Sequence, residues 1–342
     1  MQFGLFHSVQ WPEGSAQYDR YQQALAQAIH AEEIGFESVW MTEHHFGRHG
    51  ITADSLALLS NLAAKTDHIR LGTAVSVLPF HDPVQLAESA GIVDQLSGGR
   101  LNLGIGRGNM WSEFNGFAVS YDDRARRFDE AAQVLARVWE SDAPFTHHGE
   151  FYDYDEVVVQ PRPYQQPHPP IWLATAGGRG LQRCAEQGWN IMLPQGLQPS
   201  AVAEAIAGYK DELAKVGATY NPDNVVLARA LYVSDDAETA WNEAEAAYIA
   251  FITQARQGVA TPESTPDLNN PFDVESRKKG AVFGGPEDVI EMLREVESVG
   301  IEHVIFFVHF GDLPHERIMR SLDRFAQEVM PHFSGAAKVA GD

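Results

Sequence analysis

The sequence is short of cysteine, of positive charge and of long apolar runs, and each shortage excludes something. Cys184 is the only cysteine among 342 residues, so no internal disulfide can form, and a reducing compartment is expected. It falls inside a helical pattern, where a small buried side chain is the natural reading rather than a nucleophile. Lys and Arg total 25 against 47 Asp and Glu, and 25 − 47 = −22. Such acidity argues against nucleic acid and anionic membrane surfaces as partners. An anionic ligand must then be gripped by local arginines and backbone amides. No apolar stretch approaches the roughly 18 residues that would cross a bilayer, and no basic-then-apolar leader opens the chain. A soluble cytoplasmic protein is expected. No Gly-x-Gly-x-x-Gly follows the first strand candidate, which argues against a doubly wound dinucleotide-binding sheet.

What is present alternates. Apolar strand candidates fall at 3–6, 38–41, 69–77, 101–105, 171–174, 190–193, 225–233 and 303–308, with helical periodicity between them. One helix carries Ala125, Phe128, Ala132, Leu135 and Trp139; another carries Val289, Leu293, Val296 and Val299. Asp82-Pro83 reads as an N-cap followed by a first-turn proline, and Gly98-Gly99 as that helix's stop. Gly285-Pro286-Glu287-Asp288 opens a helix that ends at Gly300. Strand–helix alternation repeated eight times predicts an α/β fold of the (β/α)₈ barrel type. Such barrels take about 250 residues, so insertions are expected: a hairpin within 146–170, marked by Phe151-Tyr152 and Val157-Val158-Val159, and a lid within 258–284, between strands seven and eight. The expected organisation is one barrel domain over 1–333 and a disordered tail over 334–342.

In this fold the working residues sit at the C-terminal ends of strands. Glu43, His44 and His45 follow the second strand, and paired imidazoles there suit proton movement at neutral pH. Gly104-Ile105-Gly106-Arg107-Gly108-Asn109 follows the fourth strand and Thr175-Ala176-Gly177-Gly178-Arg179-Gly180 the fifth. Glycine lets backbone approach a ligand, and amides at a helix start favour an anion that arginine can also grip. The same glycines equally fit plain tight turns, and the arginines equally fit pairing with carboxylates. Trp111 and Phe114 are candidate walls of an apolar pocket. Metal is not expected, since Glu43, His44 and His45 are adjacent and their side chains alternate in direction. Only distant ligands such as His81 or Asp82 would change that.

These segments resemble the bacterial luciferase-like family of flavin-dependent, alkanal monooxygenase-like enzymes. The resemblance runs from Phe3-Gly4-Leu5-Phe6 through Glu43-His44-His45-Phe46, Leu71-Gly72-Thr73-Ala74-Val75, Leu78-Pro79 and Gly104-Ile105-Gly106-Arg107-Gly108 to Gly284-Gly285-Pro286-Glu287 and Met330-Pro331. It implies a barrel in which reduced FMN, supplied by a separate reductase, reacts with O₂ to a C4a-peroxide that oxidises a small aldehyde-like substrate. It implies His44 as acid/base with His45 in support, and Arg107 on the FMN phosphate. Gly106, Thr175 and the amides of Ala176, Gly177, Gly178 and Arg179 complete the cradle. A cis peptide between Ala74 and Val75 would lie under the flavin, Glu43 would border the substrate, the lid would close over the site, and the chain would form a homodimer. The light-emitting subunit carries a cysteine where this chain has Gly106, and an acidic residue and a serine at Thr175 and Ala176; Arg179 replaces a small hydroxyl residue. Light emission is therefore not implied. Alternatives are F420-dependent hydride transfer on the same fold, a non-enzymatic subunit, which retention of His44 and Arg107 opposes, and a metal-dependent barrel hydrolase.

Overall fold

The computed structural model describes residues 1–140, 143–261 and 278–333. The expected tail and the central part of the expected lid, 262–277, lie outside the described residues. Eight parallel strand positions close into a barrel with helices between them. In order around the barrel these are β1 (Gln2–His7), β2 (Ser38–Met41), β3 (Arg70–Thr73) continued by β4 (Ser76–Val77), β5 (Leu101–Gly106), β8 (Ile171–Ala174), β9 (Asn190–Leu193), β10 (Val225–Val233) and β12 (His303–Phe307). Closure comes from β12 pairing β1 on one side, with Phe3 opposite Val304, and β10 on the other, with Leu227 opposite Val304. The strands are buried on both faces, so their sequences read as continuous apolar runs rather than alternating ones.

The inner and outer cores are separate. Trp40, Ala74, Trp172, Met192, Val226, Ala228 and Ile305 fill the barrel, with the two indoles edge to face at 5.4 Å. Gly72 is required by that filling, because a Cβ there would lie 2.1 Å from the Trp40 ring. The larger cluster lies between barrel and helices, where Leu59, Leu86, Val134, Leu181, Ile206, Val289 and Ile318 present helix stripes to the strands.

Helix boundaries follow their capping chemistry. Asp82 caps α3 (Pro83–Leu96) by accepting from Val84 N–H and Gln85 N–H, and Gly98 and Gly99 take the left-handed conformation beyond its end. The helix α9 (Pro286–Ser298) opens with Gly285 N–H donating to Asp288 Oδ2 at 2.9 Å.

Two insertions differ in detail from the sequence reading. The hairpin is β6 (Phe145–His148) against β7 (Asp153–Val157), which places Phe151 and Tyr152 in its turn and Val158 and Val159 beyond it. The cause is Glu130 on α5 (Arg124–Arg137), whose carboxylate accepts from the backbone N–H of Glu150, Phe151 and Tyr152 and pins that turn to the barrel. The 258–284 stretch is also not irregular at its ends. Helix α8 (Ala237–Val259) runs into it, and Val282–Gly284 forms β11, extending the overhanging end of β10 from Leu231 to Val233.

Candidate active site

A cavity of about 610 Å³ opens at the C-terminal ends of β2 to β8. Its walls come from four consecutive strand ends, which is where this architecture assembles sites. Glu43 and His44 follow β2; Ala74, Val75 and Val77 lie in and around the β3–β4 break; residues 106–110 follow β5; residues 173–177 end β8. The Ala74–Val75 peptide is cis. Val75 seats directly against Gly106, where a Cβ would come within 2.4 Å of Val75 Cγ2. The missing side chain at position 106 thus admits Val75 to the cavity wall.

One end of the cavity is cationic. Helix α6 (Gly178–Gln187) points its N-terminus into it, with no acidic residue in the first turn. Gly177 and Gly178 have open space where a Cβ would stand, and Gly178 takes φ 56°. Arg107 is exposed there with no ion-pair partner among the described residues. Arg179 and Arg183 both bind the Asp129 carboxylate, at 3.1 and 2.7 Å. Three guanidiniums against one carboxylate leave 3 − 1 = +2 beside the helix terminus, in a chain whose net charge is −22.

The other end carries imidazoles and buried carboxylates. His44 Nδ1–H donates to Glu113 Oε1 at 3.0 Å, which leaves Nε2 without a partner among the described residues. The same oxygen accepts from His45 N–H at 2.9 Å, and Glu113 is 1% exposed. His45 turns away from the cavity. Its Nε2 meets Glu43 Oε1 at 3.1 Å and its ring packs against Phe46, Phe80 and Phe117. Glu43 also binds His81 Nε2 at 2.8 Å and Val77 N–H at 3.1 Å. Burial pushes the Glu43 carboxyl up, but the bonds to His45, His81 and Val77 outweigh it and hold it below the ordinary range. His81 is raised: burial lowers it, and the Glu43 bond and charge more than compensate.

The structure therefore brings together His44, Glu43, Ala74, Val75, Gly106, Arg107, Thr175, Ala176, Gly177 and Arg179 around one cavity, with Gly178 opening the adjoining helix. It does not bring in Trp111 or Phe114, and His45 joins only indirectly, through its ring bond to Glu43 and its backbone N–H bond to Glu113. Phe114 is fully buried against Phe80 and Tyr121, at 4.6 and 5.3 Å. The reason is helical phase. On α4 (Trp111–Gly116) the cavity side carries Met110 and Glu113, three residues apart, and the 111/114 pair falls on the neighbouring face. Glu113, Asp129 and Arg183 are not legible from the barrel's topology because they sit on helices rather than at strand ends. Two further buried imidazoles, His7 and His309, stand 5.9 Å apart with no hydrogen-bond partner among the described residues. Burial, with Arg20 nearby, lowers His7 to about 3 and His309 well below its ordinary value.

A (β/α)₈ barrel with a cavity at its C-terminal face, proton-handling residues at one end and an anion cradle at the other, is the framework of an enzyme. The sequence profile of the luciferase-like monooxygenase family matches residues 1–303, and the chain belongs to that family of oxidoreductases. It is 30% identical to the flavin-dependent trigonelline monooxygenase, oxygenase component, of Acinetobacter baylyi, over 98% of this chain and 96% of that one. It is 24% identical to the F420-dependent glucose-6-phosphate dehydrogenase of Intrasporangium calvum, over 96% and 99%. The solved structure of the monooxygenase RslO1 from Streptomyces bottropensis superposes with a TM-score of 0.88 at 26% identity, covering 98% of this chain and 100% of that one. Among the described residues no helix is long and apolar enough to cross a membrane.

Proposed function

We propose that this chain is an FMN-dependent monooxygenase that takes reduced FMN from a separate reductase and inserts oxygen from O₂ into a small organic substrate. The carrying observation is the polarity of the cavity: an uncompensated cationic cradle at one end, His44 at the other, with the Ala74–Val75 wall between them. A volume of about 610 Å³ suits a ring cofactor with a small substrate. The residues fit FMN. Arg107 and the first-turn amides of α6, flanked by Thr175, Ala176, Gly177, Gly178 and Arg179, would hold the phosphate, and Ala74 and Val75 would support the ring. Arg179 is paired with Asp129 in this structure and would exchange that partner for phosphate, or share it. When bound, reduced flavin supplies the electrons and the site of oxygen activation. His44 Nε2, fixed as a proton acceptor by the Glu113 bond to Nδ1, would take or return the substrate's proton, and His45 acts through Glu43 as a positioning residue. Val77 and Met110 would border the substrate. The oxygenase-component description of the trigonelline relative supports a separate reductase. We further propose that residues 1–333 work as one barrel unit, in the cytoplasm, as a homodimer.

A second reading is F420-dependent hydride transfer. The observation favouring it is a groove of about 490 Å³ between α5 and α6 that shares Arg179 and Arg183 with the cavity and continues past Arg137 and Gln182. That groove gives room beyond a phosphate for an anionic tail. Anaerobic titration with reduced FMN and reduced F420 separates the readings, with oxygen uptake then measured across aldehydes, ketones and N-methylated aromatic acids. FMN binding with substrate-dependent oxygen uptake supports the first reading. F420 binding without FMN binding overturns it.

A further inference from the structure

The His44–Glu113 pair has a third neighbour that the flavin reading does not use. His49 lies on the loop after β2 with its side chain 5% exposed, 3.8 Å from Glu113 Oε1 through a Nε2 that has no hydrogen-bond partner among the described residues. Its ring meets the His44 ring edge to face, with centroids 4.3 Å apart. The candidate donor atoms of His44, His49 and Glu113 all lie within 4.8 Å of one another. Adjacency along the chain argued against a metal on Glu43, His44 and His45. The fold removes that objection by a different route, sending Glu43 and His45 into a cluster with His81 and turning His44 toward two residues from elsewhere.

We propose that His44 Nδ1, His49 Nε2 and a Glu113 carboxylate oxygen form a binding site for a zinc-class divalent transition-metal ion, with the fourth coordination position facing the cavity. Two imidazoles and one carboxylate are a ligand set zinc takes when it keeps one position open. Metal–ligand bonds of about 2.0–2.1 Å in a tetrahedron hold donor atoms about 3.3–3.5 Å apart. The separations of 3.0 Å for His44 to Glu113 and 3.8 Å for His49 to Glu113 bracket that value. The remaining imidazole–imidazole separation falls within 4.8 Å, so the donors need close by at most about 1.5 Å to complete the site. Burial adds a driving force. A buried nitrogen with no partner and a carboxylate 1% exposed both gain from a dication that satisfies them together. Binding at Nδ1 displaces the proton now held there, and the imidazole proton moves to Nε2. The cavity-facing nitrogen then becomes a donor instead of an acceptor. The metal would therefore silence His44 as a proton acceptor, a consequence that rests on the role proposed above, while the site itself does not.

The test uses the flavin-free full chain and Co²⁺ as a spectroscopic probe, with equilibrium dialysis for stoichiometry. Expected is one Co²⁺ per chain, a strong visible absorption of tetrahedral type, and its loss when Zn²⁺ is added. His49→Ala and Glu113→Gln should each abolish the band with circular dichroism unchanged, whereas His81→Ala, which leaves the three donors intact, should keep it. If His49→Ala does not fold, His49→Gln fills the same space and should also lose the band. Absence of stoichiometric binding in the parent chain overturns the site, as does a band retained without His49 or lost equally without His81. Neither flavin nor substrate enters the measurement, so its failure is separate from any failure of the FMN reading.

Discussion

Glu113 decides which nitrogen of His44 faces the cavity, because a carboxylate only accepts and so draws the proton to Nδ1. That arrangement leaves Nε2 as the acceptor and predicts a division of labour. His44→Ala should lower substrate oxidation by about 10²–10⁴-fold, the usual weight of general acid–base catalysis, while flavin affinity stays at the parental level, since the cationic cradle is at the far end of the cavity. Steady-state turnover beside a flavin titration checks it; unchanged turnover would remove His44 from the chemistry. The candidate residues legible in the sequence were those at strand ends, His44 and Arg107 among them, because the barrel's topology alone places them. Glu113 was not legible. Its position depends on the phase of a six-residue helix, and a one-residue error in phase exchanges the 110/113 face for Trp111 and Phe114.

Elements are held by what glycine leaves out. Gly106 ends β5 against Val75, and a methyl group there has no room, at 2.4 Å from Val75 Cγ2. Gly106→Ala should cost about 1–3 kcal/mol of stability, the range for overpacking. Gly177 caps α6 in an extended conformation, φ 179°, with nothing within 4 Å of a built Cβ. Gly177→Ala should therefore stay within about 0.5 kcal/mol of the parent while weakening binding of phosphate-bearing flavin, since the added methyl occupies the cradle. Urea denaturation of both variants checks the contrast, and equal destabilisation would contradict it. Strands and most helix caps could be read ahead of the structure because their signals are local: Asp82-Pro83 and Gly98-Gly99 frame α3 without help from the fold. The hairpin turn and β11 could not. One is fixed by Glu130 on another element, the other by the overhang of β10.

At the scale of the molecule, the barrel buries imidazoles that resist taking a proton in place. Burial lowers His303 to about 4 and, with Arg20 adding to it, His7 to about 3; His309 lies well below its ordinary value for the same reasons. In the unfolded chain each takes up its proton near the ordinary value of 6.5, so below it the unfolded state binds more protons. Stability should be flat with respect to these groups above that value. It should fall as pH drops through the window down to about 4 for His303 and about 3 for His7, by up to about 1.4 kcal/mol per pH unit for each histidine. Urea midpoints between neutral pH and about pH 5 measure the slope; a slope of zero, or a rise on acidification, would contradict it.

In the proposed function one cavity holds a flavin with its phosphate at Arg107 and its ring toward His44. The most direct measurement is the affinity of FMN and of riboflavin for the parent chain and for Arg107→Ala. Because only FMN carries the phosphate, the substitution should weaken FMN by about tenfold or more, the scale of one lost charge-assisted contact, and leave riboflavin nearly unchanged. Equal weakening of both ligands, or of neither, would contradict the assignment.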